Sequence, residues 1–165
     1  MLNRGRGGED AVEELPRFDA DIFAEQPSLV IWQVGTNAVF HKKEKKYDLD
    51  DVAAKIAAGL KQLRERAMDV VLMDPQYVTA MLCDDKAEDS TQMVALISAE
   101  AEKAKVSVFR RWALMRHWHV HNNVAFEQML DPTDQPDKLH QSDWSTLRIS
   151  RALCDAITKV LPPLA

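Results

Sequence analysis

Cysteine, glycine and tyrosine are scarce in this 165-residue chain: two cysteines, five glycines and two tyrosines. Cys83 and Cys154 make no disulfide framework, and neither has a partner at zinc-ligand spacing. No apolar run is long enough to span a bilayer. Nor is there a basic tract of the kind that grips phosphate backbones, and net charge is −5. The densest cluster, Lys42, Lys43, Lys45 and Lys46, is interrupted by Glu44 and followed by Asp48, Asp50 and Asp51. It reads as a solvated loop rather than a nucleic-acid patch. The opening "MLNRGRGGEDAV" lacks the apolar core of a signal peptide. Localisation is left open: cytoplasmic as the chain stands, periplasmic or secreted if a signal peptide lies upstream of Met1. No cofactor is called for.

What is present suits one globular domain with a real core, at 46% hydrophobic and 28% charged residues. Apolar runs of strand length alternate with longer amphipathic stretches. Glu9 to Glu25 carries Ala11, Val12, Leu15, Phe18, Ile22 and Phe23 at helical spacing, with Pro16 expected to kink or shorten it. Leu29 to Val34 reads as a buried strand after Pro27. Asp50 to Met68 is the clearest helix, with an acidic first turn and Val52, Ile56, Leu60 and Leu63 on one face. Asp69 to Met73 is the next strand. Ser90 is expected to cap a helix reaching about Lys105. Val106 to Phe109 should form a third strand running on into "RRWAL". A last helix begins near Ser142 or Asp143, carries Leu147, Leu153, Ile157 and Val160 inward, and ends at Pro162 and Pro163. This alternation means α/β with a mainly parallel sheet, whose ligands bind at the carboxyl ends of the strands.

Four segments carry candidate chemistry. Gly35-Thr36-Asn37 falls at the carboxyl end of the first strand. Its asparagine amide can donate to an oxyanion, or simply make an Asx-type turn. Gly5-Arg-Gly-Gly-Glu-Asp10 is either an anion-binding glycine turn entering a helix or a flexible start with a capping acid. In Pro136-Asp137-Lys-Leu-His140, the aspartate can turn back to the imidazole Nδ1–H and leave Nε2 as a base; the plain alternative is a surface pair. In "RHWHVHNN", His117, His119 and His121 would face one way on an extended segment, but no further ligand set accompanies them, so no metal is assigned. Arg110, Arg111 and Arg116 can meet an anionic substrate or salt-bridge the acidic surface.

The order and spacing of these segments resemble the SGNH (GDSL-like) esterase/lipase family over nearly the whole chain. "PSLVIWQVGTNAV" is similar to the family's third conserved block and "DKLHQSDWSTLRISRAL" to its fifth. The resemblance implies a flavodoxin-like three-layer α/β/α sandwich. It also implies that Gly8 N–H and the Asn37 amide form an oxyanion hole, that His140 is the general base and that Asp137 orients it. Gln76 and Tyr77, after the middle strand, and Arg111 and Trp112, after the third, are expected to wall the substrate. The substrate would be a small-molecule ester, hydrolysed through an acyl-enzyme.

Two departures stand out. Asn37 is followed by Ala38 where the family usually has an aspartate. The Gly-Asp-Ser block with the nucleophile is absent, and none of Ser28, Ser90, Ser98, Ser107, Ser142, Ser145 and Ser150 has that context. "MLNRGRGG" resembles the end of the family's second strand and the turn after it. The expectation is a single domain over 1–165 lacking its first strand, first helix and most of its second strand, with the serine upstream of Met1. The alternative is a catalytically inactive relative that binds a small acyl or carbohydrate ligand.

Overall fold

The computed structural model describes residues 1–83 and 86–159. Its N-terminal segment is a chain of short turns rather than one helix: α1 (Ala11–Glu14), a 3-10 turn at Leu15–Arg17, α2 (Phe18–Asp21) and a 3-10 turn at Phe23–Glu25. Pro16 sits in the first 3-10 turn, where its missing N–H and fixed φ interrupt the α ladder. The expected shortening is therefore more thorough than a kink.

Strand β1 (Leu29–Gln33) leads through Gly35 into α3 (Thr36–Phe40), then α4 (Lys42–Lys45) and α5 (Leu49–Arg64). The lysine cluster is thus a short helix rather than a loop. Asp48 caps α5 by accepting from the N–H groups of Asp50 and Asp51. Next come β2 (Asp69–Met73), α6 (Lys86–Ala104) and β3 (Ser107–Phe109). Ser90 does not cap α6: it lies inside the helix, fully buried, and its hydroxyl donates to the Met81 carbonyl at 2.8 Å. Beyond β3 the chain turns into α7 (Arg111–His121), then α8 (Phe126–Met129) and α9 (Asp143–Thr158). The last helix begins where expected, with Ser142 as its N-cap. Leu147, expected inside, is 50% exposed. Val160, Pro162 and Pro163 lie outside the described residues.

The strands pair in parallel in the order β1-β2-β3, with Ile31 beside Val71 and Val71 beside Ser107. The result is an α/β fold, a parallel sheet flanked by helices. Val30, Trp32, Val70 and Leu72 share one face and are buried. Gly59 of α5 lets Trp32 in, since a Cβ there would lie 2.4 Å from the indole. Phe18 meets the same indole edge-on at 5.0 Å. On the other face Met73 and Phe109 are buried near the carboxyl ends, whereas Ile31 is 40% exposed. Parallel register brings the chain leaving β1, β2 and β3 to one edge, and the candidate segments gather there.

Candidate active site

The turn after β1 is dictated by two close approaches. Gly35 has φ +89°, and a Cβ there would sit 2.7 Å from Ile97 and 2.9 Å from Met93 of α6. Only glycine lets the strand end, reverse and pack on α6 at once. Asn37 then lies in the first turn of α3, and its Nδ2 donates to the Glu9 carbonyl at 2.7 Å. Glu9 follows Gly8, which also has a left-handed backbone at φ +78° with open space where a Cβ would be. The fold therefore brings Gly8 and Asn37 together across the sheet edge. The second Asn37 Nδ2 hydrogen and the Gly8 N–H have no partner among the described residues.

The two segments are joined by more than that bond. The Asp10 carboxylate is 2% exposed. One of its oxygens accepts from Ala11 N–H at 2.7 Å, the other from Gly35 N–H at 2.9 Å and Ala38 N–H at 3.0 Å. Burial raises its pKa, against the pull of those three N–H groups. Lys45 donates to the Gly8 carbonyl at 2.6 Å and to Glu13 at 2.9 Å, and Tyr47 donates to the same Glu13 oxygen. Burial opposes ionisation of Glu13, but the hydrogen bonds from Tyr47 and Lys45 outweigh it and bring the carboxyl down to about 2.

The residues expected to wall the substrate divide into two pairs. Gln76 and Arg111 are buried, at 6% and 5% exposure. Gln76 Oε1 accepts from Thr36 Oγ1 at 2.9 Å and from Arg111 at 2.8 Å, and its Nε2 donates to the Leu139 carbonyl at 3.3 Å. Arg111 also donates to Gln33 and to the Asp74 carbonyl. Burial lowers the guanidinium pKa to about 10 and raises that of the Asp74 carboxyl to about 6. Asp74 Oδ1 accepts from Trp112 N–H, while Oδ2 is buried without a partner among the described residues. These two residues are internal struts, because a guanidinium this deep needs acceptors on every side. Tyr77 and Trp112 are half-buried, their rings meeting edge-on at 5.0 Å, and Phe126 stacks on Tyr77 at 5.9 Å.

His140 ends the loop that Gln76 holds through Leu139, and it is exposed. Its Nδ1 faces Asp134 at 3.0 Å, and the other Asp134 oxygen accepts from the N–H groups of Leu139 and His140 at 2.6 Å each. Burial opposes ionisation of Asp134, but the bonds from His140 and Leu139 together outweigh it and hold its pKa below the ordinary value. Asp137 is exposed and makes no hydrogen bond or ion pair among the described residues. The loop contains a cis Gln135–Pro136 bond.

No serine accompanies this set among the described residues. Ser142, two residues past His140, donates its hydroxyl to the Gln128 carbonyl at 2.6 Å. Ser145 donates to Met129, and Ser98 to Val94. Ser28 and Ser107 lie at the amino ends of β1 and β3, on the far edge. The histidines of "RHWHVHNN" lie on α7, not on an extended segment. His117 and His121 neighbour each other at 5.0 Å, while His119 stacks on Phe126 at 4.0 Å and its Nδ1 faces the Val124 carbonyl. No group of three or more potential ligands is gathered for a metal among the described residues. Asp10, Thr36, Lys45 and Asp134 escaped sequence reasoning as site residues. Only Asp10 left a signal, since Asp-x-x-Glu before an apolar run is a capping box, and Glu13 does accept from Asp10 N–H.

The structure superposes on acetylxylan esterases. A catalytic mutant of Axe2 from Geobacillus stearothermophilus matches with a TM-score of 0.80 at 19% identity, over 94% of this chain and 71% of that one. The acetyl xylan esterase AlAXEase matches at 0.79 and 19% identity, over 93% and 78%. At such identity the likeness is one of fold. A search of curated proteins by sequence finds no match. The family comparison covers residues 1–161, and with the shared fold it places this chain in the non-GDSL lipase-like family.

Proposed function

We propose that this chain carries the oxyanion and base side of a serine esterase that hydrolyses a small-molecule ester. One observation carries the reading: the Asn37 amide is tied to the carbonyl of Glu9, next to Gly8, while the amide and Gly8 each keep an N–H with no partner among the described residues. Donors held in advance at one edge stabilise charge as it grows on a carbonyl oxygen. The acetylxylan esterases that share the fold support an ester substrate.

In this mechanism a serine outside residues 1–165 attacks the ester carbonyl as His140 takes its proton. Gly8 N–H, the Asn37 amide and the serine's own N–H hold the tetrahedral oxyanion. His140 returns the proton to the leaving alkoxide and then activates the water that hydrolyses the acyl-enzyme. Asp137 is the carboxylate assigned to orient the imidazole, and Asp134 is the one that faces Nδ1 in this structure. Tyr77 and Trp112 line the acyl or alcohol side.

The test is a p-nitrophenyl acetate assay of the protein expressed with whatever coding sequence precedes Met1. Asn37→Ala should cut kcat by ~10²–10³; unchanged turnover would sink the reading. A second reading is favoured by the serine placement. With the hydroxyls of Ser142, Ser145 and Ser98 bonded to backbone carbonyls, a ligand-binding module without hydrolysis is the rival. It predicts no acyl-enzyme burst with the activated ester.

A further inference from the structure

Asp10 is a buried carboxylate that no step of the proposed chemistry uses. It caps α1 through Ala11 N–H, yet its other oxygen reaches 25 and 28 residues along the chain to Gly35 N–H and Ala38 N–H. Those two groups bracket Asn37. Gly35 and Ala38 are the N-cap and third residue of α3, whose N-cap residue offers no side chain of its own. The N–H groups of a first helical turn have no partner inside the helix, so one borrowed oxygen caps α3 from another segment. This also accounts for Ala38 standing where an aspartate usually follows the asparagine: a carboxylate is present at the Ala38 N–H, delivered from α1.

We infer that Asp10 is the positioning residue of the oxyanion hole, clamping the peptides on either side of Asn37 so that its amide keeps one orientation. The inference rests on the esterase reading. Three features favour it over a plain capping role. The acceptor is a single carboxyl oxygen shared by two N–H donors, Gly35 and Ala38. It is withdrawn from water, so it is not exchanged for solvent. It also ties together the two segments that supply Gly8 and Asn37, so motion of one is motion of both. Lys45 closes the assembly from outside by holding the Gly8 carbonyl.

Two variants separate bracing from capping. Asp10→Asn keeps the shape but leaves an NH2 donor facing either Ala11 N–H or the Gly35 and Ala38 N–H groups. Asp10→Ser keeps a good N-cap for α1 and is too short to reach α3. Each is assayed beside Asn37→Ala in the protein expressed with its upstream coding sequence, using p-nitrophenyl acetate. The expected result is a 10- to 100-fold loss in kcat (~1.4–2.7 kcal/mol) with KM within about twofold, because donors that act on the transition state move kcat. A helix cap lost for stability alone would lower Tm and leave kcat of the folded fraction intact.

Wild-type kcat in folded Asp10→Ser overturns the brace, provided Asn37→Ala has lost turnover. If Asn37→Ala keeps its turnover, the esterase reading itself has failed. Should both Asp10 variants misfold, amide exchange in the unsubstituted protein decides. Gly35 and Ala38 must then both be among the slowly exchanging amides, and free exchange of either overturns the inference.

Discussion

The two halves of the candidate site are held by opposite means. Around Gly8 and Asn37, the proposed oxyanion side, backbone and amide N–H groups are fixed by a buried carboxylate, a lysine and a glycine that tolerates no side chain. On the base side His140 stands exposed on a loop, anchored by Asp134 and by the Gln76 bond to Leu139. The difference follows from the work each side would do. An oxyanion donor is useful only if it is already aimed when charge appears. A general base must approach one group, give its proton to another and admit water. Rigidity therefore belongs to the first side and tethered freedom to the second.

That contrast can be broken from either side. The largest effect expected is the loss of turnover on Asn37→Ala. Gly35→Ala should come next, losing roughly 2–4 kcal/mol of stability, because it combines a left-handed φ with overpacking against Ile97 and Met93. Denaturant melts measure this, and a midpoint within error of wild type would show the turn to be softer than its contacts suggest.

On the base side, Asp137→Asn should lower kcat at least 10-fold without moving Tm, since Asp137 carries no bond to lose. Unchanged kcat would give its role to Asp134. Asp134→Asn should cost about 1–2 kcal/mol at neutral pH through the three bonds it weakens. The sign with pH is fixed by a folded pKa below the unfolded one. The contribution is full above the unfolded value and disappears as pH falls through the folded value, so wild type and variant should converge in acid.

The smallest effect concerns Glu14, beneath the rigid side. Burial lifts its pKa to about 7, although Trp32 Nε1–H donates to it at 2.7 Å. A carboxyl raised in the folded state binds more protons there than when unfolded. Stability then falls as pH rises from the unfolded value toward 7. Glu14→Gln, which can still accept from the indole, should gain on the order of 1 kcal/mol at pH 7 and nothing near pH 4. A gain independent of pH would mean that the ionised form is not what costs stability.

Much of the fold was legible in the sequence, and the reason is local. Apolar runs at Leu29–Gln33 and Asp69–Met73 and the amphipathic face of α5 state their structure within a few residues. The misreadings have the same origin. "RRWALMRHWHVH" has no clean apolar face, so its sequence carries no local signature of helix α7. Ser90 looked like a cap because helix start signals are local, while its true partner, Met81, belongs to the turn before α6. Leu147 fits the helical stripe of α9 but is half exposed.

The candidate site divides along the same line. Gly8, Asn37 and His140 are candidates from sequence because each sits in a short pattern that resembles a family block. That Asn37 lies beside Gly8 rather than in a self-contained turn was decided by the N-terminal segment docking on α3, through the Asn37 bond to Glu9 and the Asp10 bonds to Gly35 and Ala38. Burial of Arg111 and Gln76, the Asp134 contact to His140 and the reach of Asp10 to Gly35 and Ala38 are likewise tertiary outcomes. Chain order fixed which groups can donate and which can bend. Packing decided which of them lose water and therefore must find one another.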